Sequence, residues 1–244
     1  MTLLAGASTG IGSLIAFFSK KSGPRFISLS LGFSAGVMIY VSMGEILLKG
    51  RSYLSSAYGG KAGYFIMLAA FFAGMAILYL LNRVLPEERV SEGGSMVKAG
   101  LFTALAIAVH NLPEGMATFV SSLGDPALAL PVVFAIAVHN IPEGISVSVP
   151  LACGGLGRKK AFLISFASGL TEPLGALLGY LILFPFMSDG VYGILFSAVA
   201  GIMTYISFDE LIPTAEKAGG HGITMLGLTC GMAVMAVSLG LFIN

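Results

Sequence analysis

Two stretches of the chain, AIAVHNLPEG at 106–115 and AIAVHNIPEG at 135–144, agree at nine of ten positions and stand 29 residues apart. Each carries a histidine and a glutamate four residues apart, His110 with Glu114 and His139 with Glu143, and an asparagine three before the glutamate, Asn111 and Asn140. Side chains three and four apart lie on one face of an α-helix. Neutral imidazole and carboxylate together are a ligand set for first-row transition metals. No glutamate adjoins either histidine, so the pattern is not the HExxH of zinc peptidases. Pro113 and Pro142 fall inside the two copies. A helix-interior proline lacks an N–H and crowds the carbonyl four residues back, here Val109 and Val138, so each helix is expected to bend or open and to offer carbonyl oxygens at the polar site. Gly115 and Gly144 follow and permit close backbone approach.

The elements that must position these groups are membrane helices. Of 244 residues, 13 are Lys or Arg and 12 are Asp or Glu, about 10% charged, against roughly 25% in a soluble domain. With 56% hydrophobic residues and a mean hydropathy of +0.93, the chain cannot cover a water-facing surface. Apolar stretches near 2–19, 26–48, 62–82, 99–122, 127–150, 161–185, 190–214 and 222–243 can each cross a hydrocarbon core that takes roughly 20 helical residues. The expectation is an all-α, polytopic helical bundle of eight transmembrane helices in a cell membrane, one domain over 1–244. Eight spans put both termini on one side. Ten Lys and Arg fall on the other side (Lys20, Lys21, Arg25, Arg83, Arg89, Lys98, Arg158, Lys159, Lys160, Lys217), and three, Lys49, Arg51 and Lys61, on the side of the termini. The positive-inside rule makes the richer side cytoplasmic and places both termini outside. A net charge of +1 without a basic stripe removes nucleic acid as a partner.

Six acids fall within the spans or near their ends: Glu45, Glu114, Glu143, Glu172, Asp209 and Glu210. No Lys or Arg is expected at comparable depth. An intramembrane charge costs about 2.5–3.5 kcal/mol on insertion scales, so protonation or a bound metal ion must offset it. The two histidines beside the acids favour the metal. Small-residue pairs at helical spacing (Gly6 and Gly10, Gly32 and Gly36, Gly175 and Gly179, Gly227 and Gly231) fit close packing inside the bundle, with a homodimer contact as the other reading.

On HNLPEG at 110–115, HNIPEG at 139–144, Glu172 in SGLTEPLGA and DELIP at 209–213, the chain resembles the ZIP (Zrt/Irt-like) metal transporters, in particular their bacterial ZupT-like branch. The resemblance covers essentially the whole chain. It implies a bundle that carries divalent metal into the cytoplasm, Zn²⁺ first, with Fe²⁺, Mn²⁺, Co²⁺ and Cd²⁺ as further substrates and no catalytic cofactor. It also implies a two-metal centre on the fourth to sixth spans. One site would use His110, Glu114, His139 and Glu143; the neighbouring one would use Asn111, Asn140 and Glu172, with the two shared glutamates as bridges. Met38 matches a thioether ligand of some relatives, or is a core methionine. Glu45 is an entrance ligand or a snorkelling acid. Asp209 and Glu210 match a His-Glu position of relatives and read as an exit relay or a helix-end acid pair. The connection at 83–98, often histidine-rich in that family, has no histidine here, and His221 reads as a solvated surface residue.

A mixed imidazole, amide and carboxylate site suits Zn²⁺ and its neighbours without strong discrimination. Metal binding to such ligands displaces protons, so metal/proton exchange is expected. A gated channel with the same ligands is the near alternative. An intramembrane metallohydrolase, which needs an open coordination position and a general base, and a metal-insensitive proton or sodium carrier are the distant ones.

Overall fold

The computed structural model describes residues 1–18, 23–84, 92–124, 126–183, 186 and 188–241, almost all of them helical. In chain order the helices are α1 Thr2–Phe18, α2 Pro24–Val41, α3 Leu47–Tyr58, α4 Gly60–Val84, α5 Glu92–Gly124, α6 Pro126–Cys153, α7 Arg158–Gly169, α8 Thr171–Leu178, α9 Asp189–Ile206, α10 Ile212–Gly219 and α11 His221–Gly240. Six helical stretches among the described residues are long and apolar enough to cross a bilayer: Pro24–Tyr58, Gly60–Arg83, Gly94–Met116, Arg158–Leu181, Asp189–Gly219 and His221–Gly240. Large apolar side chains such as Phe65, Phe72, Leu80, Leu226 and Val237 stand exposed on their outer faces. A soluble monomer rarely shows so much apolar surface, whereas lipid favours it.

The helices form two groups. In one, α1 lies against α6 and α7, and α5 against α6 and α8; in the other, α2 lies against α10 and α11, and α9 against α3 and α4. They meet where α2 crosses α6 and α5 crosses α9, over a core that includes Leu31, Met38, Phe71, Phe102, Ile202 and Met203. Glycine sets the spacing. A Cβ on Gly115 of α5 would lie 1.9 Å from the Glu172 carbonyl oxygen of α8, and one on Gly144 of α6 would lie 2.0 Å from that of Thr9 in α1. The four small-residue pairs singled out in the sequence all face other helices of the same chain, with Gly32 and Gly36 of α2 against α11, and Gly227 and Gly231 of α11 against α2.

The structure departs from the sequence expectations in three places. First, α5 and α6 run as uninterrupted α-helix through Pro113 and Pro142, so neither opens there. A proline removes a single ladder hydrogen bond, and the close seating of α8 on Gly115 and of α1 on Gly144 supports the turns around it. Second, the irregular turns lie elsewhere, as π-type turns at Ser42–Ile46, Gly179–Leu183 and Ser207–Leu211. Two of them carry Glu45, Asp209 and Glu210. Third, α3 continues to Tyr58, so Lys49 and Arg51 are helical rather than in a connection, and one turn from Glu45 there is a cation after all. What ends that rod is Gly59, whose φ of 84° and ψ of 159° only glycine adopts readily. The connection expected at 83–98 is shorter, because α5 begins at Glu92; Glu87, Glu88 and Arg89 within it, and Lys20, Lys21 and Asp125, lie outside the described residues.

Candidate metal centre

The two copies of the repeat sit on neighbouring helices, α5 and α6. Each puts histidine one turn before glutamate. When two such rods run antiparallel, the histidine of one copy comes level with the glutamate of the other. The structure shows this crossing: His110 Nε2 lies 2.9 Å from Glu143 Oε1, and His139 Nε2 lies 2.9 Å from Glu114 Oε1. All four side chains are buried, as are Asn111, Asn140 and Glu172. Contacts of this length between imidazole and carboxylate contain a proton.

Glu172 is brought in by the break between α7 and α8 at Leu170. It stands in the first turn of α8, where Asn140 Nδ2 donates to its Oε2 at 2.9 Å and to the Ala5 carbonyl at 3.0 Å. It lies within coulombic range of Glu114, His139 and Glu143. Asn111 Nδ2 donates to the Ser168 carbonyl at 3.2 Å, which also accepts from the Thr171 hydroxyl at 2.6 Å. Side chains thus satisfy a carbonyl at the helix break that no water could reach in lipid.

Six other polar atoms of this group are unmet. His110 Nδ1, His139 Nδ1, Asn111 Oδ1, Asn140 Oδ1, Glu143 Oε2 and Glu172 Oε1 are buried and make no hydrogen bond. Each orphan of this kind costs about 1–3 kcal/mol. Most of them are oxygen acceptors, so the interior is short of positive charge. Among the described residues, no three His, Cys, Asp or Glu side chains converge as a ready-made ligand cluster; the histidines and glutamates of the repeat are held as pairs.

A cavity of ≈ 150 Å³ reaches the His139–Glu114 pair and is lined also by Glu45, Lys49, Tyr53 and Thr118. Glu45 accepts from Lys49 Nζ at 2.7 Å. A second cavity of ≈ 590 Å³ lies between Pro24 and Ile27 of α2, Ser95 and Met96 of α5, and Thr214 and Lys217 of α10. Pro24 and Lys49 lie on one helical rod, about 37 Å apart at 1.5 Å per residue, so the two cavities belong to opposite ends of the bundle. Asp209 and Glu210 are not brought to the His–Glu pairs. Asn82 of α4 donates to them at 3.0 and 3.5 Å, and Lys98 and Lys217, at the second cavity's end, are within coulombic range of Glu210. Met38 is fully buried in the apolar core. His221 is 75% exposed and pairs with Glu216 at 2.5 Å.

A family model described as ZIP zinc transporter matches residues 86–239, and relatives match from end to end. The zinc transporter ZupT of Streptococcus mutans is 51% identical over 254 residues, covering all of this chain and 96% of that protein. That of Clostridium perfringens is 52% identical over 270 residues, covering all of this chain and 95% of its own; that of Lysinibacillus sphaericus is 48% identical, with coverage of 100% and 96%. The chain belongs to the ZIP zinc transporter family. As a ZIP protein it is a multi-pass membrane transporter and not an enzyme, which sets the metallohydrolase aside.

Reading the ZIP sequence by span and repeat missed the π turns and Lys49. A signal for the turns was present: AGVMIYVSMGEIL at 35–47 and AGIMTYISFDELI at 200–212 share Ala, Gly, Met, Tyr, Ser and Glu at the same six of thirteen positions. In both, the serine begins the π turn and the glutamate is its fourth residue. The copies touch through the Ser42 and Thr204 hydroxyls, 2.7 Å apart.

Proposed function

We propose that this protein imports divalent transition-metal ions, zinc foremost, into the cytoplasm through a centre formed by His110, Asn111, Glu114, His139, Asn140, Glu143 and Glu172. The observation that carries the reading is the pair of crossed His–Glu contacts surrounded by buried acceptor atoms without partners. Such an interior favours a dication. The names of the relatives point to zinc, and the mixed ligand set admits Fe²⁺, Mn²⁺, Co²⁺ and Cd²⁺ as well. In this reading the chain is one domain of eight spans with both termini outside. Metal enters by the cavity at Glu45, passes the His–Glu pairs and leaves by Asp209 and Glu210.

The crossed contacts also supply the coupling. A metal ion that takes an Nε2 displaces the proton held there, which passes to Nδ1 of the same ring or, where the pair holds a second proton, leaves the site. Uptake of radioactive zinc into proteoliposomes tests both points, using wild type, Glu114→Ala, Glu143→Ala and His110→Ala at two internal pH values. Saturable uptake by the wild type, at least tenfold slower in the variants and sensitive to internal pH, is the expected result. Variants that match the wild type would remove the centre from the pathway; uptake indifferent to pH would remove the proton.

A further inference from the structure

Lys49 is the one lysine or arginine among the described residues that line the cavity at the His139–Glu114 pair. Its ammonium lies 2.7 Å from Glu45 Oε1, with the lysine side chain 45% exposed and the glutamate 19%. The other carboxylate oxygen, Glu45 Oε2, is buried and makes no hydrogen bond. Glu45 thus has one oxygen held by a tethered cation at the wet end of the cavity and one turned inward without a partner. The π turn at Ser42–Ile46 supplies this placement, with Glu45 inside the turn and Lys49 one turn beyond it in α3.

On the transport reading above, we propose that Lys49 is a built-in counter-cation for the entrance carboxylate, which an arriving divalent ion must displace before it can reach His139 and Glu114. The chemistry suits a gate. A lysine ammonium is a compact charge on a flexible four-carbon stem, and an i,i+4 Glu–Lys pair near solvent is weak. A dication that engages both carboxylate oxygens outcompetes it, while a monovalent ion gains little by the exchange. Lys49 therefore sets how much metal is needed to load the entrance.

The test is a double-mutant cycle on zinc uptake by proteoliposomes. Lys49→Met keeps the stem and removes the charge; it is expected to lower KM about two- to fivefold, the strength of such a pair, with kcat held. Lys49→Arg, which keeps the charge, should restore a KM near that of the wild type. Glu45→Gln should raise KM, and in that background Lys49→Met should have no further effect. A KM for Lys49→Met equal to or above the wild-type value overturns the gate and leaves Lys49 as a helix anchor. An equal drop in both backgrounds overturns displacement in favour of a general field at the mouth. Glu143→Ala runs alongside: if the wild type and this variant take up zinc alike, or neither does, the transport centre fails and the gate falls with it. If Glu143→Ala alone is inactive and Lys49→Met is unchanged, only the gate fails.

Discussion

At the scale of single residues, the centre is governed by reciprocity. Because His110 meets Glu143 and His139 meets Glu114, the damage from one loss includes the cost of leaving its partner buried and unpaired, and that cost is not added twice. His110→Ala and Glu143→Ala should each weaken zinc binding roughly 10–100-fold or more, the scale at which even supporting residues of metal sites act. The double variant should be no worse than the poorer single one. Calorimetry on detergent-solubilised protein measures all four corners of the cycle; additive losses would mean that the two side chains act in separate places. These residues were legible as candidates in the sequence, since two copies of one polar ten-residue motif stand out in an apolar chain. The crossing was not. It depends on the antiparallel register of α5 against α6, which a repeat on either helix alone does not specify; the helix break at Leu170 that brings in Glu172 did have a signal, Pro173 in the first turn of α8.

At the scale of elements, glycine decides how near the helices that carry the centre approach those that support it. Gly12 of α1 and Gly144 of α6 form one mutual contact, with a Cβ on Gly12 falling 1.9 Å from the Ile141 carbonyl oxygen; Gly115 and Gly175 form the matching contact between α5 and α8. Backbone cannot yield as a flexible side chain does, so Gly12→Val must push α1 away from α6 and with it the carbonyl of Ala5 that orients Asn140. A cost of about 1–3 kcal/mol is expected from such overpacking, read as a lower thermal midpoint in detergent together with weaker zinc binding. Gly222→Ala on α11, where an added Cβ meets nothing within 4 Å, should change neither. The helices themselves were legible from apolar length, but their π turns were not. One extra residue in a turn leaves the run of apolar residues intact, and only the comparison of 35–47 with 200–212 exposes it.

At the scale of the whole molecule, the direction of transport depends on which end of the bundle faces out. Gly59 turns α3 into α4, so Lys61 lies near the end of the rod that carries Lys49 and the smaller cavity; Arg158, Lys159 and Lys160 begin α7 and belong by charge to the opposite side. Both Lys61 and Lys159 are exposed, so either can be replaced by cysteine with little effect on packing. In a background with Cys153 and Cys230 changed to serine, Lys61→Cys should react with a membrane-impermeant maleimide on intact cells, and Lys159→Cys only after permeabilisation. That pattern puts Glu45 at the outer mouth and Asp209 and Glu210 at the inner one, and metal moving from the first to the second moves inward. The reverse pattern would turn the same two cavities round, make Asp209 and Glu210 the outer acids, and contradict import by way of Glu45. Labelling of both positions from outside would break the count of spans between residues 61 and 159, because an odd number is required to separate them.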